Sequence, residues 1–334
     1  MSQELRLTRE NGKLFFDVDN STLSSHRSCA RKGFHKTILQ RGGPRSSALC
    51  FGSAFHKAME QRLLMLHAGT LNGFMPWFQD NVNHLYSEAM QGVYLGEKDH
   101  RTLANLEKLV TAYHHQFPTL FEALITDNDG NPIIERAFEV PLHTYTVPRD
   151  VGVLIRDTRQ GGYMLEDITC GTEITVRLTG KIDFATWTPA GMPSINDFKT
   201  TSMLGTTYGA DFQMSNQFSG YAYAFHVLTG LQPAVYTIHA CCLTKTGNIT
   251  FETLPFPINW ELLNESLQST RQLANTILDN YFHDEGAQPN FDACVGKYGK
   301  CEYFSACQVG NTSMRYQMLA SPPYVDLTWD PRDE

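Results

Sequence analysis

No apolar run in this chain of 334 residues approaches the length of a membrane span, and its first residues, Met-Ser-Gln-Glu-Leu-Arg, carry no apolar h-region. Neither a membrane-embedded nor an exported protein is expected. Internal repeats and low-complexity segments are also missing. With 42% hydrophobic residues the chain has enough apolar material for a real core, which excludes wholesale disorder. Eight cysteines without an export signal point to a reducing, cytoplasmic compartment and to metal ligation, not to disulfides. Of these, Cys50, Cys170, Cys241 and Cys242 sit in apolar or strand-like contexts and read as buried small hydrophobes. The length suggests roughly two domains or one elaborated α/β unit.

Acidic residues are missing from one long stretch. Residues 21–59 hold no Asp or Glu but seven basic residues: Arg27, Arg31, Lys32, Lys36, Arg41, Arg45 and Lys57. Against a net charge of −8, that leaves the rest of the chain at −15. Phosphate binding responds to such local density and not to net charge, so Arg31, Arg41 and Arg45 are candidate nucleic-acid contacts. A solvated basic face is the plain alternative.

Apolar periodicity and turn formers predict an α/β chain. A helix-turn region is expected over residues 21–40, after the start signal at Asn20, Ser21 and Thr22. A helix over 51–66 carries Gly52, His56 and Glu60 along one face. Two more helices are expected over 73–94 and 101–124, then a strand over 133–140. Residues 141–171, with Pro148, Gly152 and Gly161-Gly162, read as irregular. Strands follow at 174–187 and 194–200, a helix around Gln217–Tyr221, and a hairpin over 234–255 turning near Thr246-Gly247. Asn259 opens a long helix to about Phe282, and after Cys307 a Pro- and acid-containing tail, from Ser321-Pro322-Pro323 to Glu334, is expected to be loosely held.

The chemistry concentrates in the middle. Gly180-Lys181-Ile182-Asp183 and Ile195-Asn196-Asp197-Phe198-Lys199-Thr200 flank Thr188-Pro189-Ala190-Gly191-Met192-Pro193, a segment of turn formers, so they read as a β-hairpin. A turn centred on Ala190 sets Asp183 directly opposite Asp197. Opposed Cβ atoms lie roughly 4.5–5.5 Å apart and like charges there are destabilising. A divalent cation is the commonest reason for such a pair. Alternation puts Asp197 and Lys199 on one face and Phe198 on the other, in apolar packing.

Gly-x-Ile-Asp, a turn and Asp-Phe-Lys-Thr resemble the core signature of the PD-(D/E)XK nucleases. More narrowly they resemble the RecB-like branch, with its CRISPR-adaptation exonucleases and phage recombination nucleases. Gly52-Ser-Ala-Phe-His56-Lys-Ala-Met-Glu60 is similar to that branch's Gly-x-x-x-His-x-x-x-Glu helix, and Gln217-Phe-Ser-Gly-Tyr221 to its Gln-x-x-x-Tyr helix. Cys29 with Cys294, Cys301 and Cys307 resembles its split iron–sulfur ligand set.

The resemblance implies a restriction-endonuclease-like core, a mixed central sheet flanked by helices. Helical elaborations and a metal-cluster staple joining the N- to the C-terminal region complete it. Its implied segments are 1–50, with a cluster cysteine and the basic stretch, and a nuclease core over 51–285 with a helical insertion at 67–130. A cluster-binding segment over 286–310 and a tail over 311–334 follow. Asp183, Asp197, His56 and the Phe198 backbone carbonyl are implied to hold Mg²⁺ or Mn²⁺, the imidazole tilting the preference toward Mn²⁺. Lys199 then orients or deprotonates the attacking water and offsets phosphate charge. Glu60 stands behind the ligands, and Gln217 and Tyr221 meet the scissile strand.

The cysteines imply a 4Fe–4S cluster, with a four-thiolate Zn²⁺ site as the alternative. Six residues separate Cys294 from Cys301 where the family usually has two, and Ala30 and Glu302 stand where it commonly has Pro. The implied activity is metal-dependent hydrolysis of DNA, single-stranded or at duplex ends, in recombination, repair or phage DNA processing within a bacterial or phage-infected cell. A nucleic-acid-binding accessory subunit of a helicase or recombination complex is the alternative, as is restriction-type cleavage of duplex DNA.

Overall fold

The computed structural model describes residues 6–37, 39, 41–43, 45–118, 123–157, 162–213, 215–282, 287–296 and 299–326. Packing divides the chain into two compact units, each discontinuous in sequence. One comprises residues 45–138 and 181–260, the other 1–44, 139–180 and 261–334.

In the unit of residues 45–138 and 181–260, the end of the strand Glu173–Trp187 pairs antiparallel with Pro193–Thr201. Pro193–Thr201 runs parallel to Val235–Leu243, which pairs antiparallel with Ile249–Pro257. Val235–Leu243 is buried along nearly its whole length, as its near-continuous apolar sequence requires. The helices Ser47–His67, Phe74–Ala89 and Leu103–Gln116 pack on the face that bears Phe184, Phe198, Cys241 and Leu243. Ser47–His67 meets that face through Phe51, Ala54, Phe55, Ala58 and Met59, the spacing of an apolar helical stripe. A further helix, Asn216–Thr229, is capped by the Ser215 hydroxyl, which accepts from the Gln217 N–H at 3.2 Å. Its Phe218 stacks on Tyr236 with ring centroids 3.5 Å apart.

The other unit opens with a hairpin that the sequence reading does not anticipate, Arg6–Glu10 and Lys13–Val18. It turns through Asn11 (φ 49°) and Gly12 (φ 79°), the left-handed pair that an Asn-Gly turn supplies. Lys13–Val18 runs parallel to the start of Glu173–Trp187. The stretch expected to be irregular instead holds two strands, Val151–Asp157 and Gly162–Ile168, the first also parallel to Arg6–Glu10. Val153 and Ile155 alternate into the core and outweigh the breaking tendency of Gly152. Asp19, not the residues after it, caps the helix Asn20–Ser28 by accepting from the Thr22 N–H. Ala30–Thr37 is a further helix of this unit, as is Trp260–Phe282 from its second residue on.

The expected loose tail is packed as far as residue 326. Thr312–Leu319 is a helix, Val325–Asp326 pairs with Arg41–Gly42, and Leu319 and Tyr324 are buried beside Tyr303 and Ala306. Residues 327–334 lie outside the described residues. Cys170 corrects a second expectation: it is exposed, with its thiol donating to the Pro148 carbonyl at 3.2 Å. Cys50, Cys241 and Cys242 are buried. Among the described residues no helix is long and apolar enough to cross a membrane.

Candidate active site

The Asp183/Asp197 hairpin forms in the expected register. Phe184 pairs with Asn196 and Ala185 with Ile195, so one step further along Asp183 faces Asp197. Phe184 and Phe198 turn to the opposite face, where their rings stack at 4.9 Å and are almost wholly buried. Each contributes ~1.5–3 kcal/mol by burial, and a one-residue slip would drive both acids into that core. Apolar packing therefore fixes which way the carboxylates point.

His56 reaches the pair from Ser47–His67. One turn before it, a Cβ on Gly52 would meet Thr200 Oγ1 at 3.1 Å, so glycine lets the helix lie close to the Asp197 strand. His56 donates from Nε2 to the Phe198 carbonyl at 2.9 Å. Its Nδ1 lies 3.3 Å from Asp183 Oδ2 and 3.4 Å from Glu135 Oε1. Asp183 Oδ2 also accepts from the Phe198 N–H at 2.8 Å, tying the two strands at the site.

Glu135 is the site residue that the sequence reading misses. It stands near the start of the strand Ile134–Thr146 with φ 42°, a left-handed conformation that costs a non-glycine residue ~1–3 kcal/mol. Ligand atoms of His56, Glu135 and Asp183 all lie within 4.8 Å of one another. An isolated acid after Ile133-Ile134 carries no spacing signal, and nothing in a strand sequence announces a reversed φ.

Charge is crowded here. Burial raises the carboxyl pKa of Asp197 to about 7, Asp183 adding to it and Lys199 opposing it. Burial also raises Asp183, with Glu135 adding and His56 opposing. Burial alone would lower His56, but Asp183 and Glu135 prevail and hold it up at about 9. Lys199 Nζ donates to Asp197 Oδ1 at 2.8 Å and lies 2.6 Å from Oδ2. Burial disfavours its charge, yet Asp197 and Asp183 raise its pKa. Buried carboxylates that disfavour each other's charge, with an imidazole and a backbone carbonyl beside them, form a donor set that fits Mg²⁺ or Mn²⁺.

The remaining candidates divide. Tyr221 is near enough to Asp197 and Asp183 to feel their charge; burial first, then those carboxylates, raises its pKa well above the usual range. Gln217 hydrogen-bonds the Tyr221 side chain, and the Tyr221 ring meets Phe138 edge-on at 5.7 Å. Glu60 lies 3.7 Å from Lys57 on its own helix, a surface pair and not a bond to His56. Arg45 donates to the Gln91 carbonyl at 3.3 Å.

In the other unit, Arg31 donates to the Ala287 carbonyl at 3.3 Å, and Arg41 belongs to the two-residue strand paired with Val325–Asp326. Cys29, Cys294, Cys301 and Cys307 line one pocket there, despite the length of chain between the first and the rest. Cys29 Sγ accepts from the Asn290 N–H at 3.2 Å, and the Asn290 amide donates to the Ser28 carbonyl at 2.9 Å. Glu302 accepts from the Gly43 N–H at 3.0 Å and lies 3.6 Å from Lys32, a use for an acid where proline is common.

The chain belongs to the PD-(D/E)XK nuclease superfamily, which its sequence matches over residues 20–308. Among solved structures it is similar to a candidate exonuclease from Eubacterium rectale at 14% identity, over 88% of each chain and with a TM-score of 0.43. It is also similar to SSO0001 at 8% identity, over 84% of this chain and 80% of that one, with a TM-score of 0.25. No curated protein matches its sequence.

Proposed function

We propose that the chain is a divalent-metal-dependent deoxyribonuclease acting on single strands or duplex ends. The observation that carries this reading is the convergence of His56, Glu135 and Asp183 beside the Asp197–Lys199 pair. His56, Glu135, Asp183, Asp197 and the Phe198 carbonyl would hold the cation. When bound, it supplies positive charge for the phosphorane and acidifies water.

Everything else is the work of the chain's own groups. Lys199, kept protonated by Asp197 and Asp183, offsets phosphate charge and orients the attacking water, a role its raised pKa favours over that of base. Tyr221 and Gln217 form a neutral hydrogen-bonding edge next to the acids, suited to a phosphate or a base of the scissile strand. Arg31, Arg41 and Arg45 supply positive charge for the backbone.

The convergence of Cys29, Cys294, Cys301 and Cys307 supports a 4Fe–4S cluster. A tetrahedral Zn²⁺ with bonds of ~2.3 Å would bring its sulfurs to about 3.8 Å from one another. Elemental analysis for iron, sulfide and zinc separates the two readings.

The test is a cleavage assay on end-labelled DNA, single-stranded and duplex, with Mn²⁺ or Mg²⁺. Cleavage is expected with the parent protein and is expected to vanish with EDTA or in Asp183→Ala and Asp197→Ala, all folded by circular dichroism. Undiminished cleavage by either variant, or under excess chelator, defeats the reading.

A further inference from the structure

The unit that holds the cysteines has a second pocket, of about 190 Å³, room for roughly six waters at ~30 Å³ each. Arg31, His35, Gln288, Thr312, Arg315 and Tyr316 line it, and no carboxylate does so among the described residues. In a chain of net charge −8, two guanidiniums around one cavity with no acid among its described lining residues are unexpected.

His35 is the second and independent observation. Its ring is 2% exposed, and neither Nδ1 nor Nε2 has a hydrogen-bond partner. Packing fixes its orientation, since the ring lies against Tyr303 with centroids 5.2 Å apart. Arg315 donates from Nη2 to the Val309 carbonyl at 2.9 Å, but its Nε is buried without a partner. Arg31 is anchored along one edge by the Ala287 carbonyl. Thr312 opens the helix Thr312–Leu319 and so sits at its positive end.

We propose that this pocket binds a phosphate group. Buried donors without acceptors are costly, and two like charges lining a cavity repel each other. A tetrahedral oxyanion answers both, because it accepts from each guanidinium, from an imidazole N–H and from the Thr312 hydroxyl at once. The fork of an arginine matches phosphate geometry. Burial, with Arg315 and Arg31 adding to it, holds His35 down at about 4, so the ring is a neutral single donor.

Arg31 and Arg315 also lower the pKa of Cys307 against the burial that raises it, which gives them a use as counter-charges to thiolates. That use leaves the two ring nitrogens of His35 without explanation. The phosphate can belong to a nucleic acid strand or be free in solution. Its origin in a strand rests on the nuclease reading; the pocket's chemistry does not.

The experiment uses the full chain. Inorganic phosphate is titrated by calorimetry against chloride at matched ionic strength, for the parent, His35→Phe and Arg315→Gln. Saturable binding is expected in the parent, weakened roughly tenfold or more in each variant. Should Arg315→Gln fail to fold, His35→Phe, which keeps a ring against Tyr303, still decides. Competition with oligothymidylate, with and without a 5′-phosphate, separates the sources. Displacement of phosphate by the oligonucleotide supports a strand, and binding it cannot displace supports free phosphate. Absence of saturable binding in the parent, or parent-like affinity in both variants, overturns the proposal. DNA cleavage without phosphate binding defeats this proposal alone, and phosphate binding without cleavage defeats only the nuclease reading.

Discussion

Asp183 and Asp197 meet through one hairpin whose turn spans a few residues, whereas 264 residues lie between Cys29 and Cys294. The first pair is held by strand register and by Phe184 and Phe198 locked beneath three helices. The cysteines are held by a handful of polar ties, through Asn290 and Glu302, over a small cluster around Tyr303 and Ala306. Ligand loss should therefore act differently at the two places. At the hairpin it should remove chemistry and spare the fold. At the cysteines it should remove fold, because the binding energy of the proposed metal would close a long loop there.

Lys199→Ala probes the first half of that comparison and carries the largest expected effect of the variants that leave the proposed cation's ligands in place. The cleavage rate should fall roughly 10²–10³-fold, the usual loss for a positioned group that stabilises developing charge, with DNA affinity nearly kept. Single-turnover rates alongside a filter-binding titration check it. Normal cleavage would reduce the lysine to a partner for Asp197.

Cys301→Ala and Cys29→Ala probe the second half. Both should lose visible absorbance and bound metal, melt at lower temperature and aggregate, while Cys241→Ala, buried in the other unit, keeps its metal. Elemental analysis of the parent should give about four iron with matching sulfide. About one zinc would instead favour the thiolate site. If Cys29→Ala alone keeps its metal and its melting point, the long-range staple is absent.

Glu135 blurs the comparison, because there the hairpin site stores strain. Glu135→Gly should be more stable than Glu135→Ala by about 1 kcal/mol, since only glycine adopts φ 42° freely. Both variants should bind the cation more weakly. Equal melting temperatures for the two would mean that the reversed φ costs nothing.

The same contrast explains what could be read from the sequence. The Asp183/Asp197 register, the burial of Phe198 and the His56 helix follow from short spacings and alternation, and the structure has them. Glu135 was out of reach because it arrives from a strand 48 positions before Asp183 through a backbone conformation no pattern encodes. The Asn11-Gly12 hairpin had a local turn signal, but its strand pairs with remote chain, Lys13–Val18 beside the start of Glu173–Trp187. Charge density is legible in a different way. Several residues of the acid-free stretch have protein partners: Arg27 bonds Thr270, Lys32 faces Glu302, and Arg45 bonds Gln91. Sequence reports how much charge a segment has, not what already takes it up.

Binding of Mn²⁺ tests the central claim most directly, independently of any substrate. Calorimetric titration of the parent should reveal a saturable Mn²⁺ site that His56→Ala and Asp183→Ala each lose, while melting temperatures stay close to that of the parent. Mn²⁺ affinity unchanged in Asp183→Ala, or no Mn²⁺ binding by the folded parent, would contradict a metal centre built on this hairpin.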